Sequence, residues 1–187
     1  ARMLEHSRKL GGLFCPVPGT TQADRELDVM AWSVPVPPGQ ACKNPVCKRV
    51  NAFVGPVVLH EQLNEETHVA MGEMFGPISL SIFDKLTLIM TRGHVVDALG
   101  GDTYLTADNA RRMALPISFM SGGLNTLFKP ESSLRTQAWL AHHNGPQWYR
   151  RRVMEGYGHL DNFVRRDAAR EVYPWVLAEL ERGDASP

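Results

Sequence analysis

Excess charge of either sign is missing from this chain. Its 20 basic and 20 acidic side chains cancel, so it lacks the basic surplus with which nucleic-acid binders neutralise phosphate. Long apolar runs are missing too. The best stretch, residues 78–90, is broken by Asp84 and Lys85 and falls short of the roughly 18–20 residues that a membrane span requires. Three cysteines in 187 residues are too few for a disulfide-stapled secreted scaffold. No signal-peptide pattern is read either, so a reducing, cytoplasmic setting is expected. Neither Gly-x-Gly-x-x-Gly nor a P-loop occurs, so nothing in the sequence cradles a dinucleotide or nucleotide phosphate. Gly-x-Ser-x-Gly is absent as well, and with it the elbow that presents a nucleophilic serine. There are no internal repeats or low-complexity segments. What remains, 43% hydrophobic and 21% charged, is the composition of a globular chain long enough for a sizeable core.

The first half reads as helical and rich in loops. The spacing of Met3, Leu4, Leu10 and Leu13 suits a helix over residues 1–14, stopped at Gly11-Gly12. Pro16, Pro18, Pro35, Pro37, Pro38 and Pro45 predict irregular chain from Cys15 to Val54, apart from a helix of two or three turns between Ala23 and Trp32. Asn64 caps a predicted helix to Phe75, with Glu65 and Glu66 in the first turn where acids suit the dipole. A second apolar helix runs from Ser79 to Arg92 and stops at Gly93, and Thr106 caps a short one through Arg112.

At Leu115 the texture changes. Pro116 to Met120 is a short apolar run left by Ser121-Gly122-Gly123, which predicts a buried parallel strand. A helix follows from Pro130 through Leu140, then a second strand from Trp148 to Met154, then an amphipathic helix from Asn162 to Glu181. Strand, helix, strand, helix is the pattern of a parallel sheet with covering helices. The expected fold class is therefore α/β, with residues 1–114 as a helical, loop-rich segment and residues 115–187 as the sheet-forming part.

The stretch richest in chemistry is Gly156-Tyr157-Gly158-His159-Leu160-Asp161. A histidine on a glycine-flanked loop between a strand and a helix projects over the end of a sheet, where an imidazole can act as general base. Taken with the run from Leu115 and Pro116 through Phe119, Gly122-Gly123 and Asn125 to Pro130-Glu131, it resembles the end of an α/β-hydrolase fold. It is most similar to the hydrolase-type domains that accompany flavin-dependent GMC oxidoreductases of the cholesterol-oxidase type. Cys42 to Arg49, His60-Glu61-Gln62-Leu63-Asn64 through His68, and Phe75-Gly76 are similar to that subfamily's cap region.

The resemblance implies one incomplete domain: a mainly helical cap, residues 1–114, followed by the last two strands and helices of an α/β-hydrolase sheet. The earlier strands and the nucleophile would lie upstream of Ala1. His159 stands at the catalytic histidine, and Asn125 stands where an acid is expected after the strand through Phe119. The implied parent acts on ester, lipid or sterol-like substrates. Alternatively, the module is a non-catalytic, substrate-presenting appendage of the oxidoreductase. No cofactor is expected in this chain; FAD would belong to the parent polypeptide or to a flavin oxidoreductase partner. Neither nucleic acid nor a membrane span enters this reading.

Several residues carry alternative readings. His159 is either the inherited catalytic position or a loop histidine capping the final helix. Asn125 either orients His159 or satisfies a turn. Asp161 reads as an N-cap or first-turn acid rather than a triad member. Ser121 is the nearest imitation of a nucleophile but follows the wrong strand. Cys42, Cys47, His60 and His68 give Cys-x4-Cys, a twelve-residue gap and His-x7-His. The last interval exceeds the three to five of a zinc finger, so a disulfide or packing competes with a metal, and no metal is assigned. Met71, Met74, Phe75, Phe83 and Met90 form an apolar stripe, either core or a lid for a lipid or sterol. His142-His143 suits a helix C-terminus, and Arg150, Arg151 and Arg152 alternate direction along a strand without implying an anion site.

Overall fold

A computed structural model of the chain describes residues 13–184. Among them are ten α-helices, two short 3-10 turns and two two-stranded sheets, a mixed α/β arrangement. The helix expected over residues 1–14 lies outside the described residues except at its end, and there the expectation is corrected. Leu13–Phe14 (β1) is a strand, paired antiparallel with Ile78–Ser79 (β2). Partners more than sixty residues away set that conformation, and Phe14 buries its ring edge-on against Phe53 at 5.2 Å.

Side-chain caps explain four of the helix starts. Thr21 opens α1 (Gln22–Ser33) with a reciprocal capping box: its hydroxyl accepts from the Asp24 amide, and the Asp24 carboxylate accepts from the Thr21 amide. The next helix, α2 (Pro45–Phe53), falls in the region expected to be irregular. Pro45 occupies the first helical position, where its missing N–H is not needed, and Asn44 accepts from the Val46 amide at 2.9 Å. Arg49 of α2 is fully buried and ties the proline-rich chain to α1. It donates to the Asp24 and Asp28 carboxylates at 3.1 and 2.7 Å and to the carbonyls of Cys15, Val17 and Asp24. The Thr21 hydroxyl, and then the Arg49 guanidinium, hold the Asp24 carboxyl down to about 2.

After a 3-10 turn at His60–Gln62, the Asn64 side chain accepts from the Thr67 amide at 2.8 Å and starts α3 (Glu65–Val69). The expected helix to Phe75 is broken at Ala70, and α4 (Met71–Met74) follows. Met71 is buried beside Val46 and Val50, so this member of the apolar stripe is core. α5 (Ser81–Arg92) ends at Gly93 as expected, but it buries none of its residues, and Met90 is 80% exposed. α6 (Ala107–Arg111) is capped by the Thr106 hydroxyl.

The second half forms β3 (Ile117–Gly122), α7 (Pro130–Asn144) and β4 (Tyr149–Met154). The two strands pair in parallel from Ile117↔Tyr149 to Gly122↔Met154, with α7 as the crossover. Tyr149 and Met154 face opposite sides of the sheet, as strand alternation requires. Leu140 of α7 packs with Tyr149 on one face, while Ala168 and Val172 pack with Met154 and Tyr157 on the other.

The single final helix is corrected to three: α8 (Asp161–Val164), α9 (Ala168–Glu171) and α10 (Tyr173–Asp184). The break has a tertiary cause. Arg165 turns extended and donates to the Gly156 carbonyl, and the Arg166 amide donates to the Gln62 carbonyl at 3.0 Å. The largest core cluster, built on Val46, Cys47, Val50, Val57, Val58, Leu63 and Met71, also receives Leu127, Leu160 and Val164 from the second half. No helix among the described residues is long and apolar enough to cross a membrane.

Candidate active site around His159

Two loops meet at the carboxyl ends of the parallel strands. The chain leaving β3 turns at Gly122-Gly123, where the Gly123 and Leu124 amides donate to the Met154 and Tyr157 carbonyls, both at 2.9 Å. A Cβ at Gly122 would collide with the Tyr157 and Gly158 carbonyl oxygens, so only glycine lets the end of β3 press against the histidine loop. The loop leaving β4 turns at Gly156, whose φ of 73° favours glycine.

This close approach brings Asn125 and His159 together. Asn125 Nδ2 lies 3.1 Å from His159 Nδ1, across 34 residues of chain. The other end of the amide settles its orientation: Oδ1 accepts from the Leu127 and Phe128 backbone amides at 3.1 and 3.0 Å. A flipped amide would aim NH2 at two N–H donors. Nδ2 therefore donates, His159 Nδ1 accepts, and the neutral ring carries its proton on Nε2. One side chain thus bonds the turn at Leu127 and Phe128 and the histidine ring together.

His159 is half-buried, with the Phe128 ring centred 5.2 Å away. Burial pushes its pKa below the ordinary histidine value, which favours the neutral ring. A neutral imidazole with Nε2–H is a hydrogen-bond donor at that atom. A general base for a serine hydroxyl needs a lone pair there instead, which the opposite tautomer provides.

Asp161 is not part of this pair. As the first residue of α8, it is fully buried and accepts from the Gly158 amide at 2.6 Å and the Leu59 amide at 3.1 Å. Burial raises its pKa, while these two bonds and the Arg165 charge oppose the rise. The contact to Leu59 spans 102 residues and, with Leu160 N–H donating to the Val57 carbonyl at 2.7 Å, fastens the histidine loop to the first half. No sequence signal announced Leu59 or Val57, because both contribute only backbone atoms.

Ser121 shares a 3.0 Å contact with Ser133 and makes none with His159. The three arginines of β4 each find a separate partner: Arg150 the Glu179 carboxylate, Arg151 Ser133 and the Pro130 carbonyl, and Arg152 the Trp175 ring. No common anion site results. His142 and His143 sit in the last turn of α7, as the dipole argument expects. Cys42, Cys47, His60 and His68 converge in the first half, and both thiols are free. No protein-family model, curated protein or solved structure matches this chain.

Proposed function

We propose that the chain is the histidine-bearing C-terminal part of an α/β-hydrolase-like domain whose parent takes ester, lipid or sterol-like substrates. The observation that carries the proposal is the Asn125–His159 bond. Loops following two adjacent parallel strands deliver these side chains to one point, as a hydrolase-type site requires of its acid and histidine. In the parent, a serine on an earlier strand would complete the set, with His159 Nε2 facing it.

Asparagine at the acid position limits the chemistry. It stabilises the Nε2–H tautomer and offers imidazolium no compensating charge. The analogous aspartate-to-asparagine change in a serine protease lowers turnover by about 10⁴, so hydrolysis by the parent is slow. The same tautomer favours a second reading, the non-catalytic appendage of a flavin-dependent, cholesterol-oxidase-type oxidoreductase. There His159 Nε2–H would donate to a hydroxyl or carbonyl oxygen of a presented sterol or lipid. With no glycine-rich phosphate cradle in this chain, the FAD of that reading belongs wholly to the other module.

The experiment is p-nitrophenyl ester turnover by the parent polypeptide and its His159→Ala and Asn125→Asp variants. Loss of turnover in the first and a gain of two or more orders of magnitude in the second (about 10²–10⁴) would support a hydrolase-type site. Equal rates in all three would remove His159 from the chemistry and leave the appendage reading, which a sterol-binding measurement on His159→Ala then tests.

A further inference from the structure

We propose that Cys42, Cys47, His60 and His68 form a structural zinc site that clamps the start of α2 to the His60–Val69 segment. The four donor atoms all lie within 4.8 Å of one another. Tetrahedral zinc, with Zn–S of about 2.3 Å and Zn–N of about 2.0 Å, needs donor separations of roughly 3.3–3.8 Å. Cys42 Sγ and His60 Nε2 are already 3.3 Å apart, and contraction of about 1–1.5 Å at most brings the others to that range.

Two further observations point to a ligand. His60 Nδ1 bonds the side-chain oxygen of buried Gln40 at 2.9 Å, which places the ring proton on Nδ1 and aims the Nε2 lone pair at the cluster. Metal-binding histidines are oriented by such an outer partner. His68 Nε2 is buried and has no hydrogen-bond partner among the described residues, a cost of about 1–3 kcal/mol that a metal bond would remove. Access is provided by a surface pocket beside Cys42, lined also by Trp32, Gln40 and Lys48.

Four protein donors leave no open position, so the site is structural rather than catalytic. Two thiolates and two imidazoles select zinc over magnesium or calcium. The seven-residue interval between the histidines is no obstacle, because His60 lies on the 3-10 turn and His68 in the last turn of α3. Finger spacing assumes both histidines on one helix. The clamp would also steady Val57 and Leu59, the backbone partners of the histidine loop. It rests on residues 40–68 alone and stands whether or not the hydrolase reading does.

The test is metal analysis of the protein purified without chelator, followed by Co²⁺ titration of the stripped protein. The expected result is about one zinc per chain, thiolate-to-Co²⁺ charge-transfer absorption with tetrahedral visible bands, and a melting temperature that falls on stripping and recovers with zinc. Gln40→Ala should weaken zinc binding by about 10–100-fold, and Cys42→Ser should abolish the charge-transfer band from that thiolate. Octahedral, thiolate-free Co²⁺ spectra from the wild-type protein would overturn the proposal without reliance on any variant. So would full zinc retention by Cys42→Ser and His68→Ala together.

Discussion

Replacing Asn125 with aspartate exchanges one NH2 for an oxygen and should invert the proton arrangement of His159. One carboxylate oxygen can keep the bonds from the Leu127 and Phe128 amides, while the other faces Nδ1 at the present 3.1 Å. The ring must then place its proton on Nδ1 to donate, leaving a lone pair on Nε2. At a charge separation of about 4 Å and an effective dielectric of about 20, the carboxylate–imidazolium attraction is ~4 kcal/mol. That is an upper bound, because His159 is only half-buried and the new carboxylate loses hydration. Half of it would raise the histidine pKa by about 1.5 pH units. Long-range ¹H–¹⁵N correlation spectra of the imidazole distinguish the tautomers, and their pH dependence gives the pKa. The wild-type ring should titrate below the ordinary histidine value as the Nε2–H form, and the variant above it as the Nδ1–H form. A wild-type neutral ring protonated on Nδ1, or identical spectra in the two proteins, would refute the reasoning.

Arg49→Met should destabilise the fold by about 3 kcal/mol, the lower end of the range for breaking a buried charge pair, since Asp24 and Asp28 retain some solvent contact; urea unfolding measures it, and a loss under 1 kcal/mol would contradict the anchoring role. Asp161→Ala strands the Gly158 and Leu59 amides, costing about 1–3 kcal/mol each, and amide exchange at residues 57–59 and 158–160 should accelerate together if this carboxylate joins the two segments. For pH, the unfolded chain binds more protons than the folded one wherever a folded pKa is lowered, so stability rises with pH across that window. His159 should therefore contribute a loss of stability as pH falls below its unfolded value of about 6.5, visible as the difference between wild type and His159→Gln; parallel curves would exclude it. Asp24, held down to about 2, should contribute a second loss as pH falls below about 4, absent in Asp24→Asn.

Elements whose causes are local were legible in the chain. The Asn64 and Thr106 caps, the stop at Gly93 and the proline entries to β3 and α7 each depend on atoms a few residues apart. A local signal with two meanings misleads: Pro45 reads as a breaker, although the first position of a helix accepts proline. Where a distant partner decides, periodicity misleads. Leu13–Phe14 is a strand because of Ile78–Ser79, and the final helix is cut at Arg165 because Arg165 bonds to Gly156 and Arg166 to Gln62.

The candidate site divides along the same line. Sequence alone determined the alternation of strand and helix after Leu115, the glycine-flanked loop and the presence of a histidine there, since these follow from residue type and short-range geometry. Only the tertiary structure decided which nitrogen of His159 carries the proton, because that depends on two backbone amides holding Asn125 Oδ1. Folding likewise gathered two thiols and two imidazoles that linear spacing had argued apart. Hydrogen bonds and metal bonds act over about 2–3 Å in space, a distance that separation along the chain does not encode.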